Sequence, residues 1–164
     1  MWYSRRVTRD DAIAIVQARG QTQSRTGAPW GNCLEAAVAT LIGIPLAEIP
    51  DIRSGAEKHG VYRDEDLRAL FAVRLPALRR WLAERYGLLF ATGDGERPPW
   101  VDAAGPDAPP LFWVASGRSQ RGFLHAVVCA DHELIWDPHP ARTGIETVLR
   151  WGVIVPLGPP RICP

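Results

Sequence analysis

At 164 residues, 46% of them apolar, the chain can bury one core of ordinary size but not two, so a single domain over residues 1–164 is expected. Its 19 Lys and Arg nearly cancel 18 Asp and Glu, and no long run of one sign occurs, which removes the electrostatic footprint of a nucleic-acid or membrane partner. Cys33, Cys129 and Cys163 are odd in number and widely spaced, a poor disulfide framework; with no cleavable apolar leader and no long apolar run, they favour a cytoplasmic protein.

In chain order, Thr8 with Asp11 three residues on resembles a capping box, and Ile13, Ile15 and Val16 give a short helix its apolar side before Gly20. Residues 20–32 are rich in Gly, Gln, Thr and Ser and read as a loop. In "GNCLEAAVATLIG" the apolar residues Leu34, Ala37, Val38, Leu41 and Ile42 recur at helical spacing and Gly43 stops the run, so Cys33 falls in the first turn of a helix. Pro45 and Pro50 frame a turn. Asp64 is a candidate cap for "EDLRALFAVRLPALRRWLAERYG", which Pro76 should split into two helices, the second ending at Gly87.

After Gly87 the pattern changes. "GLLFAT", "PPLFWVAS", "FLHAVVCA", "HELIWD" and "WGVIVPL" are short apolar runs separated by Gly, Pro and Asp clusters, and they read as antiparallel strands with "CADHE" a tight connection between two of them. Residues 93–110 lack periodicity and are expected to form an exposed, partly mobile loop. Helices first and strands afterwards is the α+β pattern.

Thiol catalysis needs a nucleophile, a base to carry its proton and a group that fixes the base. Cys33 opens a helix, whose N–H groups and dipole favour an anion. His125 lies early in a strand, on rigid backbone, and Asp137 ends the next one; if "ADHE" closes a hairpin, the two meet at one end of neighbouring strands. Each residue taken singly has a plainer role: Cys33 as a buried hydrophobe, His125 as a hydrogen-bonded core residue, Asp137 as a turn former. The conjunction favours chemistry.

"GNCLEAAVATLIGIPLAEIP", "SGRSQRGFLHAVV" and "LIWDPHP" together resemble the papain-like cysteine peptidase superfamily, most closely its compact bacterial and phage branch, which includes bacteriocin leader peptidases and small uncharacterised proteins. The resemblance covers the Cys33 block and residues 116–140. It implies a papain-like α+β fold, with N-terminal helices and the nucleophile helix packed on a C-terminal antiparallel sheet. It also implies a hydrolase, a peptidase or amidase, that cleaves an amide through a thioester acyl-enzyme. Cys33 would be the nucleophile, His125 the general base and later acid, and Asp137 the orienter of His125. A Gln before the Cys usually completes the oxyanion site in this superfamily; Gln23 is the first choice and Gln21 the second.

The polar loop "SGRSQRG" precedes His125, and from it Ser119 and Arg121 are candidates to hold a substrate carboxylate or carbonyl. Trp30 is a candidate wall for an apolar subsite, Asn32 part of the approach that presents the Cys33 N–H, and His139 either lines the site or is a solvated turn residue. The expected partner is a peptide or other amide-containing substrate. No cofactor is called for. A metal reading of His125, Cys129, His132 and His139 finds no CxxC or HExxH spacing, and Cys129 reads as core. Two alternatives use the same residues: an acyltransferase or transglutaminase-like enzyme, in which an amine intercepts the acyl-enzyme, and a catalytically silent papain-like binding module.

Overall fold

Thr8 starts the first helix as its sequence suggests. In the computed structural model, which describes residues 7–26, 31–50, 67–105 and 108–158 with side chains from Arg74 onward in the third segment, α1 spans Arg9–Ala18. The Thr8 hydroxyl accepts from the Asp11 N–H at 3.1 Å while the Asp11 carboxylate accepts from the Thr8 N–H at 3.2 Å, so two orphan donors are satisfied reciprocally. Of its apolar residues Val16 is buried and Ile15 exposed, which makes the packed side of α1 narrow.

Helix α2 spans Cys33–Ile42 and ends on Gly43 in the left-handed region at φ 74°. Leu34 through Thr40 are all buried, Glu35 and Thr40 included, so α2 is a core helix and not a surface helix with one apolar stripe. Thr40 fits because its hydroxyl donates to the Ala36 carbonyl at 2.8 Å and accepts from the Gln21 N–H at 2.8 Å. A 3₁₀ turn over Leu46–Glu48 follows, between Pro45 and Pro50.

Among the described residues a third helix, α3 (Leu67–Tyr86), is followed by five strands: β1 Leu88–Asp94, β2 Phe112–Arg118, β3 Leu124–Ala130, β4 Glu133–Trp136 and β5 Thr147–Pro156. They form one sheet in the order β1-β5-β2-β3-β4, and the β2–β3, β2–β5 and β3–β4 pairings are antiparallel. The architecture is therefore α+β. The β3–β4 connection is the tight turn expected at "CADHE". Asp131 takes φ 50° there and anchors the turn by accepting from the Leu111 N–H at 2.9 Å on its carboxylate and from the Trp113 indole at 2.8 Å on its carbonyl.

The chain divides into two compact units, Met1–Ile49 with Gly93–Gly152, and Pro50–Thr92 with Val153–Pro164. In the first, α2 packs against β2 and β3, and its core is built from Leu34, Val38, Val114, Val127 and Val128. Every residue of β3 from His125 to Ala130 is buried, matching its unbroken apolar run. In the second unit, Leu75, Leu78 and Leu82 of α3 are buried, as is Phe90 of β1.

The break expected at Pro76 does not occur, because α3 runs from Leu67 to Tyr86 with Pro76 inside it. A helical proline costs about 3 kcal/mol in a lost hydrogen bond and a clash. Burial of each neighbouring leucine contributes about 1.5–3 kcal/mol, enough to hold the helix through that point. Gly87, at φ 63°, ends it as expected. The cap at Asp64 lies outside the described residues.

Residues 93–110 are largely exposed, as expected, but they do not begin as a loop. Gly93 and Asp94 belong to β1, and the turn that follows is anchored: Pro98 and Val101 are buried, Arg97 bonds Asp102 at 3.0 Å, and the Trp100 ring meets Trp151 edge-on at 5.2 Å.

Candidate active site

Cys33 is the first residue of α2 and is half-buried. The preceding residue, Asn32, would ordinarily cap the helix with its side chain, yet it makes no such bond. Its amide is spent elsewhere: the carbonyl oxygen accepts from the Arg25 N–H at 3.1 Å and the nitrogen donates to the Ser24 hydroxyl at 3.0 Å. The Asn32 N–H in turn donates to the Arg25 carbonyl at 3.4 Å. Asn32 is 3% exposed and so acts as a tie between the loop and the helix, leaving the first turn of α2 without a side-chain cap beside the thiol.

His125 is the second residue of β3, opposite Gly117 of β2. On the other side of β2 the pairing with β5 shifts register between Ser116 and Gly117, and a Cβ at Gly117 would lie 1.9 Å from the Thr147 carbonyl oxygen. Glycine lets the backbones close up at the point where β2 supports His125. The imidazole Nε2 donates to Asp137 Oδ1 at 2.6 Å, which leaves Nδ1 as the ring nitrogen that the carboxylate does not engage. Burial alone would lower the His125 pKa, but its bonds to Asp137 and Cys33 and their charges raise it to about 9.

Asp137 follows β4 directly and is 4% exposed. Besides the bond from His125, Oδ1 accepts from the His139 N–H at 2.8 Å and Oδ2 from the Gly144 N–H at 2.8 Å. Gly144 supplies that donor from φ 71°, a conformation that favours glycine. Burial would raise the Asp137 pKa, but the bonds from His125, His139 and Gly144 outweigh it and hold the carboxyl below its ordinary value. The buried charge is thus fully matched by donors.

The His139 ring stands edge-on to His125, with centroids 6.0 Å apart. Arg121 contacts His139 through Nη1 and the ring's Nε2, and the Ala141 N–H donates to the ring's Nδ1 at 3.0 Å. Burial lowers the His139 pKa, and the positive charges of Arg121 and His125 lower it further against the pull of Asp137. Ser119, expected to face substrate, is instead a loop-closing residue: it is 2% exposed and its hydroxyl donates to the Phe123 carbonyl at 3.0 Å. A turn of "SGRSQRG" needs that bond to stay closed beneath Arg121, a demand that sequence does not display.

The two glutamines separate clearly. Gln21 is absorbed by the scaffold, its amide donating to the Arg19 carbonyl at 3.0 Å and accepting from the Leu46 N–H at 3.1 Å. Gln23 is buried beside the Asp137 turn, its N–H donating to the Pro138 carbonyl at 2.9 Å. Its side-chain nitrogen donates one hydrogen to the Arg25 carbonyl at 2.8 Å, leaving a second hydrogen, while its buried Oε1 has no partner. Trp30 lies outside the described residues, as does Cys163.

Cys129 is core, buried on β3, and burial pushes its thiol up to about 12. Among the described residues no cluster of His, Cys, Asp or Glu is arranged to hold a metal ion, and no helix is long and apolar enough to cross a membrane. The sequence reading does not single out Gly117 or Gly144, although a glycine inside a strand run and another in a turn are the signals that mark close approach and positive φ. Comparison with protein-family models, curated proteins and solved structures finds no match.

Proposed function

We propose that the protein is a cysteine hydrolase, a peptidase or amidase of papain-like design, that cleaves an amide bond through a thioester on Cys33. The observation that supports this reading is the buried His125–Asp137 bond beside Cys33, with three donors on the carboxylate and the thiol at a helix start that lacks a side-chain cap. An imidazolium held to about 9 keeps a positive charge and a proton to donate beside Cys33.

The Cys33 sulfur attacks the carbonyl carbon, and the electron pair moves to the carbonyl oxygen. In this reading the Cys33 N–H and the spare hydrogen of the Gln23 amide are the two donors to that oxyanion. His125 gives its proton to the leaving amine as the C–N bond breaks, leaving a thioester. It then takes a proton from water, whose oxygen attacks the thioester; the acid departs and the thiolate and imidazolium return. Asp137 keeps Nε2 occupied so that Nδ1 is the nitrogen that moves the proton.

Alkylation by iodoacetamide at pH 6, followed by mass spectrometry at each cysteine, tests the reading. Cys33 should react on the order of a hundredfold faster than Cys129, and His125→Ala should remove most of that advantage. Equal rates at the two thiols, or a rate at Cys33 indifferent to His125→Ala, would refute it.

A further inference from the structure

Around the His139 ring the donors outnumber the acceptors. A neutral imidazole accepts at one nitrogen only and donates from the other. Both nitrogens here face donors, Nδ1 the Ala141 N–H and Nε2 the Arg121 guanidinium. Whichever nitrogen carries the proton, one N–H is left pointing at another N–H, and protonating the ring makes the mismatch worse. Arg121 adds to it, since its Nε is buried without a partner and, among the described residues, no carboxylate pairs with its guanidinium. The contrast with Asp137, where each oxygen is matched, is sharp and lies only two residues away.

We infer that Arg121 and His139 form a carboxylate-binding subsite of the active site, so that the substrate is a peptide or amide carrying a free carboxylate close to the bond that is cut. This rests on the hydrolase reading above. An incoming carboxylate supplies the missing acceptors: one oxygen for a guanidinium N–H and the other for the second guanidinium N–H or the ring Nε2–H, with Nδ1 then free to accept from Ala141. The His139 ring stands next to the His125 ring, centroids 6.0 Å apart, which puts the subsite beside the proposed base. The carboxylate can belong to a chain terminus or to an acidic side chain, and the probes below separate the two.

Four bromoacetylated probes are reacted with the full chain and the rate of Cys33 alkylation is followed: bromoacetyl-glycine, its primary amide, bromoacetyl-glutamic acid diamide with only the side-chain carboxylate free, and its glutamine counterpart. At least one acid should label about tenfold faster than its neutral partner, the glycine pair reporting a chain terminus and the glutamate pair a side chain. Arg121→Gln should erase that ratio, and Arg97→Gln, which removes an exposed charge elsewhere, should preserve both the ratio and the neutral rates. A fast neutral rate with no acid preference, or a preference that survives Arg121→Gln, overturns the subsite and leaves the hydrolase reading standing. If instead Cys33 is slow with every probe, the hydrolase reading falls, and the subsite is judged alone by titrating N-acetylglycine against the His139 ring resonances. A saturable shift absent in Arg121→Gln supports it, and no shift overturns it.

Discussion

The start of α2 and the far half of β3 each carry a free thiol, in one compact unit, and they have opposite surroundings. Cys129 is enclosed by strand neighbours, burial pushes it up to about 12, and a single bond from the Ala115 backbone does little to offset this. Cys33 is half-buried, lies beside His125 and is set where a helix starts without a side-chain cap. Chemically identical groups are thus sorted into filler and candidate nucleophile by what surrounds them, and the sorting is done by residues far away in sequence.

The most damaging way to break the contrast is Asp137→Asn. The amide must turn a donor towards at least one of the three N–H groups that the carboxylate accepts, so stability should fall by about 3 kcal/mol. Its diagnostic effect is on His125, whose ring titration, followed by NMR, should drop from about 9 towards the ordinary 6.5. A merely structural loss would leave that titration in place.

A change of pH sharpens the contrast without mutation. Because the folded value for His125 is raised above 6.5, the site's contribution to stability is fully present below about pH 6.5 and is lost as pH rises through about 9. Urea unfolding midpoints should therefore decline from pH 6.5 to 9.5 in the wild type, and this decline should be shallower in His125→Gln. A parallel decline in both proteins would assign the loss to other groups. Cys129 adds a decline of its own near the top of this range, because the unfolded thiol ionises around its ordinary value of 9.0 while the folded one, raised to about 12, does not; that part is common to both proteins and cancels in the comparison.

The mildest test is Gly117→Ala, which drives a methyl against the Thr147 carbonyl and should cost about 1–3 kcal/mol as β2 and β5 separate. Cys33 alkylation should slow several-fold as His125, paired with Gly117, loses its support, while Cys129 stays unreactive below the melting transition. An unchanged Cys33 rate would show that His125 is held by Asp137 alone.

Much of this arrangement is legible in the sequence where the signal is local. The Thr8–Asp11 box, the helix from Cys33 to Gly43 and the strand runs "FLHAVVCA" and "HELIWD" follow from spacing and turn residues, and the hairpin between those strands brings His125 to Asp137. What sequence misreads depends on contacts made across the fold. Pro76 announces a break, yet buried leucines on either side carry the helix through it. Ser119 looks like a free hydroxyl until the turn at Phe123 claims it, and Gln21 and Gln23 look alike until one is bonded to Leu46 and the other to Pro138. The unmatched donors of Arg121 and His139 are invisible in sequence, because the mismatch exists only once Ala141 is folded beneath the ring.

The loop from Gln23 to Arg25 has a mechanical consequence. One end is bonded to Pro138, beside the aspartate, and the other to Asn32, beside the cysteine. It works as a spacer bar: backbone bonds and one asparagine tie the two halves of the candidate site together from outside the sheet, alongside the packing of α2 on β2 and β3 beneath, so the gauge between them is held from two sides at once.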